Sequence, residues 1–300
     1  MTLSLVKTNS LYLIGFETMN SMKTIKLFKV NNQYLCEPFG PMVFDPHPSI
    51  LDEAKEILEA EKYYVPFNDG MMCNCLAVKK NGKIGLLFAD GNPFTDYLYK
   101  STDSEPFKYD KIRVYANRNL ADDCAYAAVY EREEWSLLSI DCMRSEPKIE
   151  VVEKADDISG LVNYIPESHL FGFGCNPFWY TPENIRSLKQ NEIFVFGSNK
   201  EGRHIGGAAR VAADKFHAQN GVGVGRTGQC YAIPTMDGSL DLIQEYAEGL
   251  RSYALCHPEL TFYITRIGCG IAGWKDDEIA PFFQNTFGNP ANFILPKEWS

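Results

Sequence analysis

Apolar runs and helical patterns alternate along the second half of the chain. The apolar runs have the length of buried strands, and the stretches between them repeat their apolar residues with helical spacing. In chain order the sequence predicts a short helix that starts at 181–184, strand 193–196, helix 208–216, strand 230–233, a helix capped by Ser239, strand 260–266, a helix from Asp276 to about Phe287, and strand 292–295. This alternation is typical of an α/β domain with a mainly parallel sheet and helices on both faces.

The first half of the chain has a different pattern, which predicts an α+β N-terminal region rich in β hairpins. Residues 24–30 alternate polar and apolar side chains, as a half-buried strand does. Residues 49–52 have the pattern of a helix cap, and the apolar positions that follow predict a helix to about Lys62. Beyond that helix the residues favour strands joined by tight turns.

A hairpin pattern occurs twice in this region, with equivalent positions 51 residues apart. Asn81-Gly82 lies between two apolar runs and predicts a tight turn, and a related pattern runs through 128–138. The two copies resemble the WG-type β repeat over about residues 70–145, with Ile84 standing where that repeat has a tryptophan. Such repeats imply a partner-facing module, and the alternative is an ordinary antiparallel sheet.

These patterns predict four parts along the chain. They are a flexible extension at 1–21, a β-rich WG-repeat-like domain at 22–165, a linker at 166–179 and an α/β domain at 180–300. No apolar run approaches the length that is needed to span a membrane, so no membrane association is expected.

Charge and cysteine content narrow the classes of function. The chain has 39 acidic and 29 basic residues and a formal charge of −10, which argues against general nucleic-acid binding but allows a local site for a small anion. Nine cysteines without regular spacing predict reduced thiols in a cytoplasmic protein. Cys73 and Cys75 are too close together and too isolated for a zinc site, so neither a metal nor another cofactor is expected.

Two glycine-bearing segments follow predicted strands. The first contains Gly197, Ser198, Asn199, Gly206, Gly207 and Ala208, and the second contains Gly268, Cys269, Gly270, Ile271, Ala272, Gly273 and Trp274. Each would place backbone N–H groups at the carboxyl edge of the sheet, near a helix N-terminus, where the helix dipole also favours negative charge. Glycine lets phosphate groups approach the backbone closely. The two segments therefore predict a binding site for an anionic ligand.

The order of these segments resembles a divergent macrodomain of a phage and bacterial branch. The likeness covers about residues 180–299 and depends on the motifs G-S-N, G-x-H-x-G-G-A-A and I-G-C-G-I-A-G-W. Macrodomains bind ADP-ribose, so the resemblance implies a three-layer α/β domain that binds ADP-ribose or a related adenine-containing diphosphate. It implies that the diphosphate lies between 206–208 and 268–273, the distal ribose near Asn199 and His204, and the adenine near Asn184.

The chain also departs from the family at positions that matter for catalysis. Ala272 stands where the family has a tyrosine or, in another branch, a catalytic aspartate, and 206–208 lacks the lysine of that branch's hydrolases. Asn184 replaces the acid that binds the adenine amino group. These departures favour binding. The first alternative is an ADP-ribosyl hydrolase or ADP-ribose-phosphate phosphatase that uses Asn199 and His204, and the second is a scaffold that binds a protein partner through the N-terminal region.

Several positions allow two interpretations. Cys269 could be a nucleophile with His204 as its base, although a lone cysteine in a tight loop is more often a small buried residue. His204 is either an acid–base or phosphate-binding group or a solvated loop histidine, and Asn199 either orients a ribose or a water or terminates a turn. Trp274 either stacks on the ligand or packs. The G-x-G-x-x-G match at 223–228 is interpreted as a false dinucleotide fingerprint, since the predicted helix precedes it and the strand follows.

Overall fold

The computed structural model describes residues 26–30, 33–36, 56–59, 62–64, 75–90, 98–100, 105–115, 124–141, 148–171, 174–236, 238–284 and 289–299. The chain divides into two compact units, Met1–Asp156 and Asp157–Ser300. The extension predicted at residues 1–21 lies outside the described residues. Within the described ranges, no helix combines the length and the apolar character that crossing a bilayer requires.

The described part of the first unit consists of β-strands. They are β1 (Lys26–Val30), β2 (Gln33–Cys36), β3 (Glu56–Glu59), β4 (Lys62–Tyr64), β5 (Cys75–Lys80), β6 (Lys83–Asp90), β7 (Leu98–Lys100), β8 (Lys111–Tyr115), β9 (Cys124–Glu131), β10 (Glu134–Asp141) and β11 (Lys148–Ala155). One sheet has the order β3-β1-β2-β7-β6-β5-β4, and the other strands of this unit follow the order β11-β10-β9-β8. Neighbouring strands in these two orders pair antiparallel, as a chain of hairpins requires.

Both predicted hairpins are present, and their ladders share one register. Asn81-Gly82 joins β5 to β6 with φ values of 51° and 78°, as the sequence predicts for a tight turn. Arg132-Glu133 joins β9 to β10 with φ values of 52° and 67°, although neither residue is glycine. Lys80 pairs with Lys83 in the first hairpin and Glu131 with Glu134 in the second, so the 51-residue offset of the sequence is also an offset of the ladders.

The prediction of a helix that ends near Lys62 is wrong for those of its residues that the structure describes. Residues 56–59 form β3, in which Ile57 lies opposite Phe28 and Leu58 opposite Leu27 of β1. The apolar residues of a short run fit a strand as well as a helix, and pairing with a neighbour decides between them. The start of the predicted helix lies outside the described residues.

The second unit has mixed α/β content. Its elements are a 3-10 helix (Ile158–Tyr164), α1 (Glu167–Leu170), β12 (Gly174–Cys175), β13 (Glu192–Ser198), α2 (Gly207–Phe216), β14 (Gly225–Thr227), β15 (Cys230–Pro234), α3 (Leu240–Cys256), β16 (Thr261–Ile264), α4 (Asp276–Phe283), β17 (Phe293–Ile294) and a 3-10 helix (Lys297–Trp299). The sheet order is β14-β15-β13-β16-β17. β13 is parallel to β15 and β16, and β17 is parallel to β16, whereas β14 is antiparallel to β15. The prediction of a mainly parallel sheet is confirmed.

The side chains of β13 alternate between two apolar clusters on opposite faces of the sheet. Phe194 and Phe196 pack with the buried residues of α2. Ile193 and Val195 pack with the buried residues of α3 and α4. Because successive residues of a strand point to opposite faces, β13 is buried on both sides. The carboxyl ends of β13, β15 and β16 therefore meet at one edge, next to the loops that lead into the helices.

The prediction of a short helix that starts at 181–184 is wrong, because this segment has no helix. Thr181 donates its hydroxyl to the carbonyl oxygen of Ile294 at 2.7 Å, and its backbone N–H bonds to Leu295 at 2.8 Å. These bonds tie the segment to the end of β17, so the hydroxyl that was expected to cap a helix has another acceptor. The glycine-rich stretch predicted as a loop at 221–228 contains the edge strand β14.

Candidate functional site

The carboxyl ends of the three parallel strands approach one another at Gly197. A Cβ atom at this position would lie 3.1 Å from the Thr235 hydroxyl oxygen and 3.3 Å from the Gly268 backbone nitrogen. Thr235 follows β15, and Gly268 lies in the second glycine segment after β16. The absence of a side chain at Gly197 therefore allows the first strand end to lie against both neighbours.

The N-terminus of α2 lies against the second glycine segment. Gly206 is the N-cap and supplies no side-chain hydrogen bond, and Gly207 has a φ of 54°, which favours glycine. Cβ atoms at Gly206 and Gly207 would lie 3.3 and 3.4 Å from Cδ1 of Ile271. Ala208 is exposed in the first turn. The two segments that the sequence singled out are thus brought together at the N-terminus of a ten-residue helix.

The second glycine segment is a closed turn braced by Trp274. The Gly273 N–H bonds to the Gly270 carbonyl at 3.0 Å, and the Trp274 N–H bonds to the Gly268 carbonyl at 3.1 Å. The indole of Trp274 donates to the Thr235 carbonyl at 2.8 Å. Of the two interpretations of this tryptophan, the contacts favour packing. A Cβ atom at Gly270 would meet nothing within 4 Å, so this glycine faces open space.

The loop between β13 and α2 is held in place by the glycine-rich residues 221–228, which are distinct from the two glycine segments. The Ser198 hydroxyl donates to the Gly223 carbonyl, and a Cβ atom at Gly223 would lie 2.1 Å from the Asn199 carbonyl oxygen. One at Gly202 would lie 2.3 Å from the Val222 nitrogen. The stretch that imitates a dinucleotide fingerprint comes after α2 and before β15, as predicted. Gly223 is needed here because its backbone lies against the backbone of Asn199.

Asn199 stabilises its own loop. Its side-chain nitrogen donates to the Arg203 carbonyl at 3.1 Å, and its side-chain oxygen accepts from the Arg203 backbone N–H at 2.9 Å. Both ends of the amide are therefore engaged with the backbone four residues ahead. A role in orienting a ribose or a water would require these bonds to be exchanged.

His204 is buried, contrary to the interpretation as a solvated loop histidine. Its side chain is 4% exposed, and its ring meets Phe196 edge to face with the centroids 5.2 Å apart. Within the described residues, neither ring nitrogen has a hydrogen-bond partner. A buried polar group without a partner is costly, which singles out this histidine two residues before the cap of α2.

Cys269 does not have the properties of a nucleophile. Burial raises the pKa of its thiol to about 12, and the nearby Asp276 carboxylate acts in the same direction. The thiol is therefore protonated at neutral pH, whereas nucleophilic attack requires the thiolate. The interpretation as a small, partly buried residue of a tight loop is favoured.

An ion-pair network beside the second glycine segment was not predicted from the sequence. Asp276 at the start of α4 accepts from Arg266 at Nε (3.0 Å) and at Nη2, and the indole of Trp299 donates to the same carboxylate at 2.6 Å. Hydrogen bonds from Arg266 and Trp299 lower the pKa of Asp276 to about 2. The partners lie 10 and 23 residues from Asp276, so no local motif could have revealed the network.

We expect the stabilising effect of Asp276 to depend on pH. Because its pKa is lowered in the folded state, the contribution is complete above the pKa of an unfolded aspartate, about 4, and disappears as the pH falls towards about 2. Asp276→Asn should therefore unfold at lower urea concentration than the native chain at neutral pH, and the difference should narrow between these pH values. Asp277→Asn, an exposed neighbour, is the control; a constant difference for Asp276→Asn would contradict the expectation.

Asn184 is exposed on the irregular segment before β13. Its neighbour Ile185 packs beside the apolar cluster of α2. The assignment of Asn184 to an adenine site stays a prediction.

Exposed apolar side chains lie in the loops that follow β13, β15 and β16. Ile205 is 81% exposed just before the cap of α2, and Ile271 is 72% exposed in the second segment. Met236, which follows β15, is also exposed. Three loops that follow parallel strands thus present large apolar groups to solvent. Ile271 belongs to a motif that is visible in the sequence, whereas no pattern in the sequence distinguishes Ile205 or Met236.

A scan against models of protein families, a search among curated proteins and a search among solved structures each find no match for this chain. Within the described residues, no three histidine, cysteine or acidic side chains are grouped so that they could hold a metal ion.

Proposed function

We propose that the second unit is a macro-like three-layer domain that binds ADP-ribose or a related adenine-containing diphosphate. The observation that carries the proposal is the contact between the N-terminus of α2, at Gly206 and Gly207, and Ile271 of the second glycine segment. The diphosphate would lie at this junction, where the first N–H groups of the helix and the helix dipole both favour negative charge.

The space at the junction suits a ligand that approaches the backbone. Gly206 has no side chain to cap the helix, and a Cβ atom at Gly270 would meet nothing within 4 Å. Since the whole chain carries a formal charge of −10, attraction for an anion has to come from such local groups.

The exposed isoleucines support a ligand with apolar faces in addition to phosphates. Ile205 and Ile271 flank the same junction and are largely exposed. Ligand sites commonly combine apolar walls with a few polar groups that fix orientation. A nucleotide meets both requirements, because its base and ribose present apolar faces while its phosphates carry charge.

Binding is favoured over hydrolysis by the state of the candidate catalytic groups. Asn199 is engaged with Arg203, the ring of His204 is buried, and the Cys269 thiol is protonated at neutral pH. None of the three is poised at the junction as an acid, base or nucleophile. This state agrees with the departure at Ala272, where hydrolases of one branch of the family have an aspartate.

Calorimetric titration of the full chain with ADP-ribose tests the proposal, with AMP and NAD as comparison ligands. We expect one ADP-ribose per chain and weaker binding of AMP, which has a single phosphate. The proposal would be contradicted if titration with ADP-ribose gave no heat of binding and ADP-ribose did not compete with AMP or NAD. Turnover of an ADP-ribosylated protein or of ADP-ribose phosphate by the chain, lost in His204→Ala, would instead favour the enzymatic alternative.

A further inference from the structure

Thr235 carries a hydroxyl group without a partner at the place where the parallel strands end. Its backbone is engaged on both sides, because its N–H donates to the Ser198 carbonyl at 2.9 Å and its carbonyl accepts from the indole of Trp274 at 2.8 Å. Its hydroxyl makes no hydrogen bond with any described residue. The backbone is therefore held in place while the polar end of the side chain is left uncommitted.

The small exposed area of Thr235 includes this hydroxyl. The residue is only 3% exposed. Its oxygen is nevertheless not enclosed, since the unpaired side-chain atoms that are fully enclosed in the described part of the chain belong to Tyr115, His204 and Arg251. Polar groups in such surroundings normally have a partner, and a ligand can supply one where the protein does not.

The backbone N–H of Gly268 is a second unpaired donor at the same place. Gly268 is buried, and its N–H makes no hydrogen bond among the described residues, although its carbonyl accepts from Trp274. A Cβ atom on Gly197 would lie 3.3 Å from this nitrogen and 3.1 Å from the Thr235 oxygen. The two unpaired groups therefore lie on the same side of Gly197, which is only half-buried.

The other contacts at this place are apolar. Cγ2 of Ile267 would lie 3.5 Å from the Cβ atom on Gly197. A Cβ atom on Gly268 would lie 3.0 Å from Cδ1 of Trp274 and 3.4 Å from the Thr235 methyl group. Two neutral polar groups beside apolar atoms suit a sugar, because its hydroxyls both donate and accept while its C–H groups are apolar. A phosphate would gain more from a helix N-terminus.

From these observations we propose that the Thr235 hydroxyl and the Gly268 N–H together bind a sugar hydroxyl of the ligand. The sugar oxygen accepts from the Gly268 N–H, and the sugar O–H donates to the Thr235 oxygen. The absence of a side chain at Gly197 leaves the approach to both groups open. This inference rests on the proposed function and adds to the site a residue that neither glycine segment contains.

Two substitutions of Thr235 in the full chain test the assignment through affinity and stability together. Thr235→Val keeps the shape of the side chain and removes a hydroxyl that has no partner in the protein. The urea midpoint should therefore stay the same or rise, whereas ADP-ribose should bind about tenfold more weakly in calorimetric titration. Thr235→Ser retains the hydroxyl and should bind ADP-ribose within about threefold of the native chain.

Thr265→Val is the matched control, because Thr265 directly follows β16 and donates its hydroxyl to the Val195 carbonyl at 2.9 Å. This substitution leaves a carbonyl oxygen without its donor, so the urea midpoint should fall while the affinity for ADP-ribose is unchanged. The two valine variants are thus expected to act on different quantities. A urea midpoint that falls together with the affinity in Thr235→Val would show a structural hydroxyl and overturn the proposal.

The choice of ligand separates the remaining outcomes. A loss confined to ADP-ribose assigns the hydroxyl to the terminal ribose, and an equal loss for ADP assigns it to the ribose of the adenosine. Inorganic diphosphate has no sugar, so a matching loss for this competitor would overturn the sugar in favour of a phosphate oxygen. Native affinity for ADP-ribose in Thr235→Val would overturn this inference alone. A native chain that binds neither nucleotide would overturn the proposed function, and the inference with it.

Discussion

Gly223→Ala should lower the free energy of unfolding of the second unit by more than about 3 kcal/mol, a large effect for one methyl group. The added Cβ would lie 2.1 Å from the Asn199 carbonyl oxygen and 2.6 Å from that of Lys200. Both are backbone atoms, so neither can move aside as a flexible side chain would. The loop that leads from β13 to α2 would have to shift, and the bond from Ser198 to the Gly223 carbonyl would be lost with it.

The matched control for this prediction is Gly221→Ala. Gly221 has a φ of 90°, but a Cβ atom there would meet nothing within 4 Å, so this change introduces backbone strain without a collision. We expect it to cost about 1–2 kcal/mol. Three of the four tryptophans, Trp179, Trp274 and Trp299, lie in the second unit and Trp135 lies in the first, so urea unfolding followed by tryptophan fluorescence reports mainly on the second unit. Equal costs for the two variants would show that the close backbone contact at Gly223 does not contribute to stability.

Gly270→Asp should weaken ADP-ribose binding about 100-fold, if the diphosphate binds where we propose. Gly270 lies in the second glycine segment and faces open space, so a side chain can enter without collision. The new carboxylate would repel the phosphates from the N-terminus of α2 and occupy part of their space. The expected loss comes from charge and space at the site, while the fold should be retained.

Gly270→Asn separates the two causes, because asparagine has nearly the size of aspartate but no charge. We expect an intermediate loss of affinity for this variant and a small one for Gly270→Ala, all measured by the same calorimetric titration. The urea midpoints of the three variants should agree closely, which excludes unfolding as the cause. Unchanged affinity in Gly270→Asp would place the ligand elsewhere and remove the main support for the proposed function.

The strand ends of the candidate site could be predicted because their signals are local. Continuous apolar runs at β13 and β15, glycine at the end of β13 and glycine after β16 are visible in the sequence, and β13 and β15 lie where predicted. Asn81-Gly82 likewise specifies its turn by residue type alone. In contrast, Arg132-Glu133 adopts the same positive φ values without glycine, and only its place between two paired strands accounts for the turn.

The failures share one physical origin, which is a distant partner that competes with a local preference. Thr181 has the chemistry of a helix cap, yet its hydroxyl bonds to Ile294, 113 residues away. Residues 56–59 have a spacing that suits a helix, yet they pair with β1. The burial of His204 depends on Phe196 and on the loop whose Asn220 side chain accepts from the His204 backbone N–H. None of these contacts can be read from neighbouring residues.

A growing chain exposes β13 well before either of its neighbours has been synthesised. Its partners in the sheet are β15, where Cys230 lies opposite Phe194, and β16, where Phe262 lies opposite Ile193. The hairpins of the first unit can close as soon as their second strand emerges, because they need only local contacts. β13 instead has to remain unpaired on both edges, with an apolar run that favours aggregation, until β15 follows about 30 residues later, and on one edge until β16 follows about 60 residues later. The central position that organises the folded sheet thus leaves this strand open to aggregation during synthesis.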